Sequence, residues 1–248
     1  MSQERITIRL LGQMELEKGD ILIHEGDNRS KKSWLLLGYL LVNRNQKVTQ
    51  NKLIAHLWGN DDSSINPSNA LKTLFHRTRN MLNKLGEGTG NQFLHCRKGE
   101  YYFDTSYPYV LDIEEFENHI EKAKLATDNT AILQHLNEAF NLYKGDFMSK
   151  LATEAWIIPI TTYYHNQFIF VAESLLKIYD SQGEHATIIA LCNKINSMID
   201  YDEEFYEYLL RSYNAIEDYN STVNAYNDYA SHMTSEYGIK PNDTLRSL

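Results

Sequence analysis

The chain has 248 residues, 42% of them hydrophobic, enough for one large core or two ordinary ones. A formal net charge of −9 argues against the chain as a whole being a nucleic-acid binder, and two cysteines, Cys96 and Cys192, exclude a disulfide scaffold. The longest apolar run, Trp34–Val42, is too short to cross a bilayer and no signal peptide is visible, so the expectation is a cytoplasmic protein with no membrane partner.

The charge is not evenly spread. Residues 1–107 hold 15 Lys and Arg against 11 Asp and Glu, whereas residues 108–248 hold 9 against 22. This asymmetry predicts a mildly basic binding module followed by an acidic module that repels nucleic acid and faces protein.

In chain order, Arg5–Leu11 alternates and is rich in β-branched residues, and Glu15–Glu17 and Ile21–His24 flank the turn-forming triplet Lys18-Gly19-Asp20. Together they predict a small antiparallel sheet. Ser30 is placed to cap a helix that runs to about Asn43, with Lys31 and Lys32 in its first turn, where cations oppose the helix macrodipole. Thr49 is placed to cap a second helix that carries Trp58 and stops at Gly59. A loop of turn formers containing Asp61 and Asp62 then leads to the most informative stretch, Asn66–Leu85.

Asn66 can cap that third helix and Pro67 can open it, since the missing N–H of proline costs nothing at the first position. Leu71, Leu74, Phe75, Thr78, Leu82 and Leu85 share one stripe at about 100° per residue. Asn69, Thr73, His76 and Asn80 lie opposite, with Lys72, Arg77, Arg79 and Lys84 flanking them. A ridge of short polar groups between cations suits a helix in a DNA major groove, where the ridge meets base edges and the cations meet phosphates. A solvated surface helix would also carry charge, so the neighbours must decide.

They do so through Phe93–Cys96 and Tyr101–Asp104, two β-like runs around Arg97-Lys98-Gly99-Glu100. This predicts a hairpin with two cations at its tip, suited to a minor groove beside the helix. Sheet, three helices and hairpin in this order make a winged helix-turn-helix.

Tyr107-Pro108 breaks the pattern, giving domains at 1–107 and 108–248. Helices are expected from Asp112, over Thr130–Tyr143 and from Trp156 to Ser181. Tyr179–His185 and Tyr213–Tyr219 are similar segments 34 residues apart, and the helices after them pair Ile189 with Val223 and Leu191 with Ala225. That spacing is the tetratricopeptide period, so the fold class is mainly α with a small β component: a winged helix followed by a tetratricopeptide-like all-α domain. The chain contains no phosphate-binding Gly-x-x-x-x-Gly-Lys-[Ser/Thr], His-Glu-x-x-His, Gly-x-Ser-x-Gly or Cys-x-x-Cys motif. The expectation is a protein that is not an enzyme and needs no metal or cofactor.

The runs LLLGYLLVNRNQKVTQNKLIAHLW, NALKTLFHRTRNML and GEYYFD resemble the OmpR-type winged helix of bacterial activators of the AfsR/SARP kind. LDIEEFE, LYKGDFM, EAW and EYGIKPNDTL resemble the bacterial transcriptional activator domain that follows it in those regulators. Arg77-Thr78-Arg79 stands where the family usually has Arg-Leu-Arg, and Glu100 replaces a glycine usual in its wing. The resemblance implies a transcriptional activator that binds double-stranded DNA at direct repeats near promoters, contacts RNA polymerase and self-associates on DNA. Its DNA contacts would be Trp58, Asn69, Lys72, Thr73, His76, Arg77, Arg79, Asn80, Arg97 and Lys98, with Asp61 and Asp62 toward polymerase. The competing reading is a tetratricopeptide-type interaction or peptide-sensing scaffold whose winged helix does not bind DNA.

Overall fold

The computed structural model describes residues 5–26, 30–59, 66–199 and 202–247. They fall into two compact units, Met1–Glu115 with Asp146–Tyr164, and Phe116–Gly145 with His165–Leu248.

In the first unit the chain runs through β1 (Ile6–Arg9), β2 (Glu15–Lys18), β3 (Ile21–His24), α1 (Lys31–Val42), β4 (Val48–Thr49), α2 (Gln50–Trp58), α3 (Pro67–Leu82), the short α4 (Thr89–Phe93), β5 (Leu94–Arg97), β6 (Glu100–Phe103) and β7 (Tyr109–Leu111). One sheet has the order β3-β2-β1-β7, antiparallel except that β7 runs parallel to β1. The second has the order β4-β6-β5. Helix α4 and the strands β4 and β7 were not read from sequence, because two or three residues carry no detectable period and α4 opens on glycines. Gly90 in α4 is required by close approach: a Cβ there would stand 2.2 Å from the Arg79 carbonyl oxygen.

The expected caps hold at two of three helices. Thr49 Oγ1 accepts from the Lys52 N–H at 3.4 Å, and Asn66 Oδ1 accepts from the Asn69 N–H at 3.0 Å. Ser30 makes no side-chain cap; its hydroxyl meets that of Ser33 at 2.8 Å.

Helix α1 has no polar face over its middle, since every residue from Ser33 to Leu41 is buried. A helix apolar all round has to be covered on both sides. Segment Asp146–Tyr164 helps supply the cover. Phe147 bridges to Leu11, the Met148 N–H donates to the Leu10 carbonyl at 2.8 Å, and the Trp156 ring meets Tyr39 edge-on at 5.1 Å. Gly38 admits Met148, whose Sδ and Cε would lie 2.6 Å from any Cβ at that position.

Asp112 locks the same region. Its Oδ2 accepts from the N–H groups of Leu10 at 2.7 Å and Leu11 at 2.8 Å, and its Oδ1 accepts from Ile113 at 2.8 Å. Burial pushes its carboxyl up to about 7, against the opposing pull of these donors.

In the second unit, α5 (Asp112–Leu125) and α7 (Ile158–Gln182) supply all but their first residues, with α6 (Asn129–Leu142), α8 (His185–Asn196), α9 (Glu203–Ala215), α10 (Tyr219–His232) and α11 (Asp243–Ser247). Tyr143 stacks on Phe168 at 4.1 Å, and Phe140 stacks on the same Phe168 ring at 5.4 Å, giving the aromatic core. Helices α8 and α10 do begin 34 residues apart. The 34-residue register is kept, but the inward-facing pair is Ile188 and Thr222, one position before Ile189 and Val223, and Val223 is 57% exposed. Among the described residues no helix is long and apolar enough to cross a membrane.

Two outcomes are expected. Asp112→Ala leaves three buried N–H groups unsatisfied and should cost about 2–4 kcal/mol of stability. Because the folded carboxyl is raised from 3.8 to about 7, its contribution is full below the unfolded value and is lost as pH rises through about 7. Denaturation midpoints at pH 5 and pH 8 should therefore differ more in the native chain than in the alanine variant. A fragment of residues 1–107, which lacks β7, Asp112 and Trp156, should show an open, dye-binding core by ANS fluorescence where the full chain does not.

Candidate nucleic-acid interface

The cap and the N-terminal proline fix where α3 starts, and burial of Leu71, Leu74, Phe75, Thr78, Met81 and Leu82 fixes which way it faces. Thr78, polar on an apolar stripe, is fully buried and donates its hydroxyl to the Leu74 carbonyl at 2.9 Å, so it is satisfied without a partner across the core. Asn69, Lys72, Thr73, His76, Arg77 and Asn80 are all exposed. The Thr73 hydroxyl donates to the Asn69 carbonyl at 3.0 Å, leaving its oxygen lone pairs outward.

Arg79 departs from this set. Its Nε and Nη2 both donate to the Leu94 carbonyl, at 3.0 and 2.6 Å, and its guanidinium lies 4.7 Å from the Phe75 ring centre. A guanidinium clamped to β5 and stacked on its own helix positions the wing strand; it does not project with Arg77. The sequence could not show this, because the angular position of Arg79 places it at the boundary between the exposed and buried faces.

The wing is a tight hairpin. Arg97 pairs with Glu100, and Lys98 and Gly99 turn the chain with φ of 51° and 78°. Successive positive φ values match the primed turns that suit hairpin twist. Arg97 and Lys98 are exposed at the tip. Glu100, an unwelcome acid there, has the Lys47 ammonium 3.9 Å away.

Backbone and side-chain bonds join these parts. The Gly99 carbonyl accepts from the Gln50 N–H at 3.0 Å, and the Gln50 side chain donates to Ser68 Oγ at 3.0 Å. The wing tip, the start of α2 and the start of α3 are thus tied within a few residues of one another. Sequence reading missed both bonds, since nothing in a lone glutamine signals two partners.

On the other flank of α3 lies a cleft of about 630 Å³, walled by Lys31 and Lys32 from α1, Trp58 from α2, and Asn69, Thr73 and Arg77 from α3. The Lys32 ammonium sits 4.6 Å from the Trp58 ring centre, and Lys31 is paired with Glu154 at 2.9 Å. Trp58 is half-buried and shares the cleft wall with Lys31, Lys32 and Arg77. Asp61 and Asp62 lie outside the described residues.

Cys192 is buried in α8 and pushed up to about 12 by burial, while Cys96 stands free and exposed on β5. Among the described residues no group of three or more His, Cys, Asp or Glu side chains could hold a metal ion.

The first unit is a winged helix with an exposed polar ridge on α3, and the second is an all-α helical domain. Residues 111–248 match the family described as bacterial transcriptional activator domain. The chain belongs to that family, the SARP-type bacterial transcriptional activators. In fold it is similar to Mycobacterium tuberculosis EmbR, solved in complex with a low-affinity phosphopeptide. The TM-score is 0.67 at 19% identity, over 98% of this chain and 64% of that one. This chain therefore spans less than two thirds of the length of that relative. No curated protein is close enough in sequence to count as a match.

Arg79→Ala should lower the thermal midpoint and loosen β5, with a stability loss of about 1–3 kcal/mol from the lost charge-assisted bonds. Arg79→Lys should recover only part of it, because an ammonium cannot reproduce the planar fork. Amide exchange of the Leu94–Arg97 strand in the two variants measures the effect.

Proposed function

We propose that the chain is a sequence-specific DNA-binding activator that reads the major groove with α3 and touches the adjacent minor groove with the wing. The observation that carries this reading is the outer face of α3, where Asn69, Thr73, His76 and Asn80 form an exposed ridge with Lys72 and Arg77 beside it. Asparagine can bond adenine bidentately, and arginine can bond either guanine or a phosphate. The cleft that holds Lys31, Lys32 and Arg77 supports a phosphate track along one side of that ridge, and Arg97 and Lys98 support a second contact region at the wing. Arg79 enters as a positioning residue for the wing.

The net charge of −9 does not oppose this reading, because the acidic excess belongs to residues 108–248. Binding to directly repeated promoter sites, pairing of copies on DNA and recruitment of RNA polymerase complete the proposal, with Asp61 and Asp62 as the polymerase-facing acids. These rest on the family to which the chain belongs. A cytoplasmic location accords with the same role.

Selection of bound fragments from random DNA by the full chain tests the reading. The expected result is enrichment of a directly repeated sequence. Arg77→Ala should weaken binding by about 1–3 kcal/mol if Arg77 reads a base, relaxing specificity at one position. If Arg77 meets a phosphate, binding should weaken uniformly and the salt slope should fall by about 1. No enrichment near 50 mM salt would overturn the proposal.

A further inference from the structure

The helical unit carries a second cleft, of about 450 Å³, between α8 and α10 with α9 beneath. We propose that it binds an extended peptide segment bearing a lysine or arginine. Its walls are rich in carboxamides. Asn193 and Asn196 on α8 are three residues apart and so share a helix face, and Asn224 stands on α10 opposite them. A carboxamide offers a C=O acceptor and N–H donors, so it can bond both the N–H and the C=O of a peptide group.

One of these amides is incomplete. Asn196 Oδ1 is buried and has no hydrogen-bond partner, a costly state that a turn of the carboxamide toward an N–H in the cleft would relieve. An extended peptide supplies such donors at every other residue on one side.

Charge then selects among peptides. Asp228 on α10 is the one charged side chain lining this cleft among the described residues, and the Tyr206 hydroxyl donates to its Oδ2 at 3.4 Å. Among the described residues no cation lines the cleft, so a phosphate or carboxylate ligand would find no counter-charge there and would face the Asp228 carboxylate. A lysine or arginine side chain would meet Asp228, and the half of the chain that holds the cleft carries 22 acidic against 9 basic residues. Tyr206 and Tyr213 add ring surface at low entropic cost. The cleft belongs to the second unit and the proposed DNA-reading face to the first, so the two readings stand or fall independently.

The test is panning of a phage-displayed library of random dodecapeptides on the full chain, followed by calorimetry with the synthetic form of the enriched sequence. Asn224 and Asp228 are both exposed, so Asn224→Ala and Asp228→Asn leave the core intact. Each should weaken peptide binding at least tenfold, Asn196→Ala should do the same, and DNA binding should not change. Replacing the peptide's basic residue with norleucine should abolish the effect of Asp228→Asn. An empty selection would overturn the proposal. So would affinity unmoved by Asn224→Ala and Asp228→Asn, or equal binding of a scrambled peptide of the same composition, which would reduce the attraction to bulk charge.

Discussion

Helix α1 is apolar on all sides, and a helix of that kind cannot be satisfied by the winged-helix core alone. One face belongs against α3 and the sheets; the other needs a cover from elsewhere in the chain. Met148 over Gly38 and Trp156 against Tyr39 provide it, and Asp112 holds the end of β1 where the covering segment docks. The geometry of the proposed reading surface follows from this packing. Lys31 and Lys32 occupy the first turn of α1, so their placement beside Trp58 and Arg77 depends on α1 being held from behind.

This packing changes how the two matched regions relate along the sequence. The activator-family match begins at residue 111, yet Asp146–Tyr164 lies in the same compact unit as the winged helix. Part of the activator region therefore serves as structure for the proposed DNA-reading part. Glu154 shows how close the dependence comes to function: it sits in the covering segment and is paired with Lys31 on the wall of the basic cleft. An exposed pair of this kind adds little to stability, but it sets how much of the Lys31 charge is available to a phosphate.

Most of the fold was legible because its long elements obey simple periods. Alternation gave β1 to β3, the stripe of Leu71, Leu74 and Phe75 gave α3, and the 34-residue recurrence gave the repeats. What escaped was tertiary. The two-residue strand β4 exists only because β6 lies beside it, β7 because β1 does, and α4 because Gly90 lets it press on the α3 backbone. The exposure of Val223 has the same origin: an apolar residue can face solvent when its neighbour, here Thr222, is the one packed. Sequence similarity between repeats locates helices better than it locates their faces.

The candidate site was legible to a similar depth. Exposed residues on a regular helix follow from an angle, so Asn69, Lys72, Thr73, His76, Arg77 and Asn80 could be placed in advance. Arg79 could not, because a residue at the edge of the buried stripe can turn either way, and the free carbonyl of Leu94 decided it. Two arginines separated by one residue thus divide their labour. Arg77 stands in the cleft wall with its charge available, and Arg79 spends its donors on the backbone of β5, the strand that carries the wing. A contact made by the wing tip would then depend on Arg79 without touching it, since the Gln50 bond to Gly99 and the Arg79 bond to Leu94 hold the hairpin from two ends.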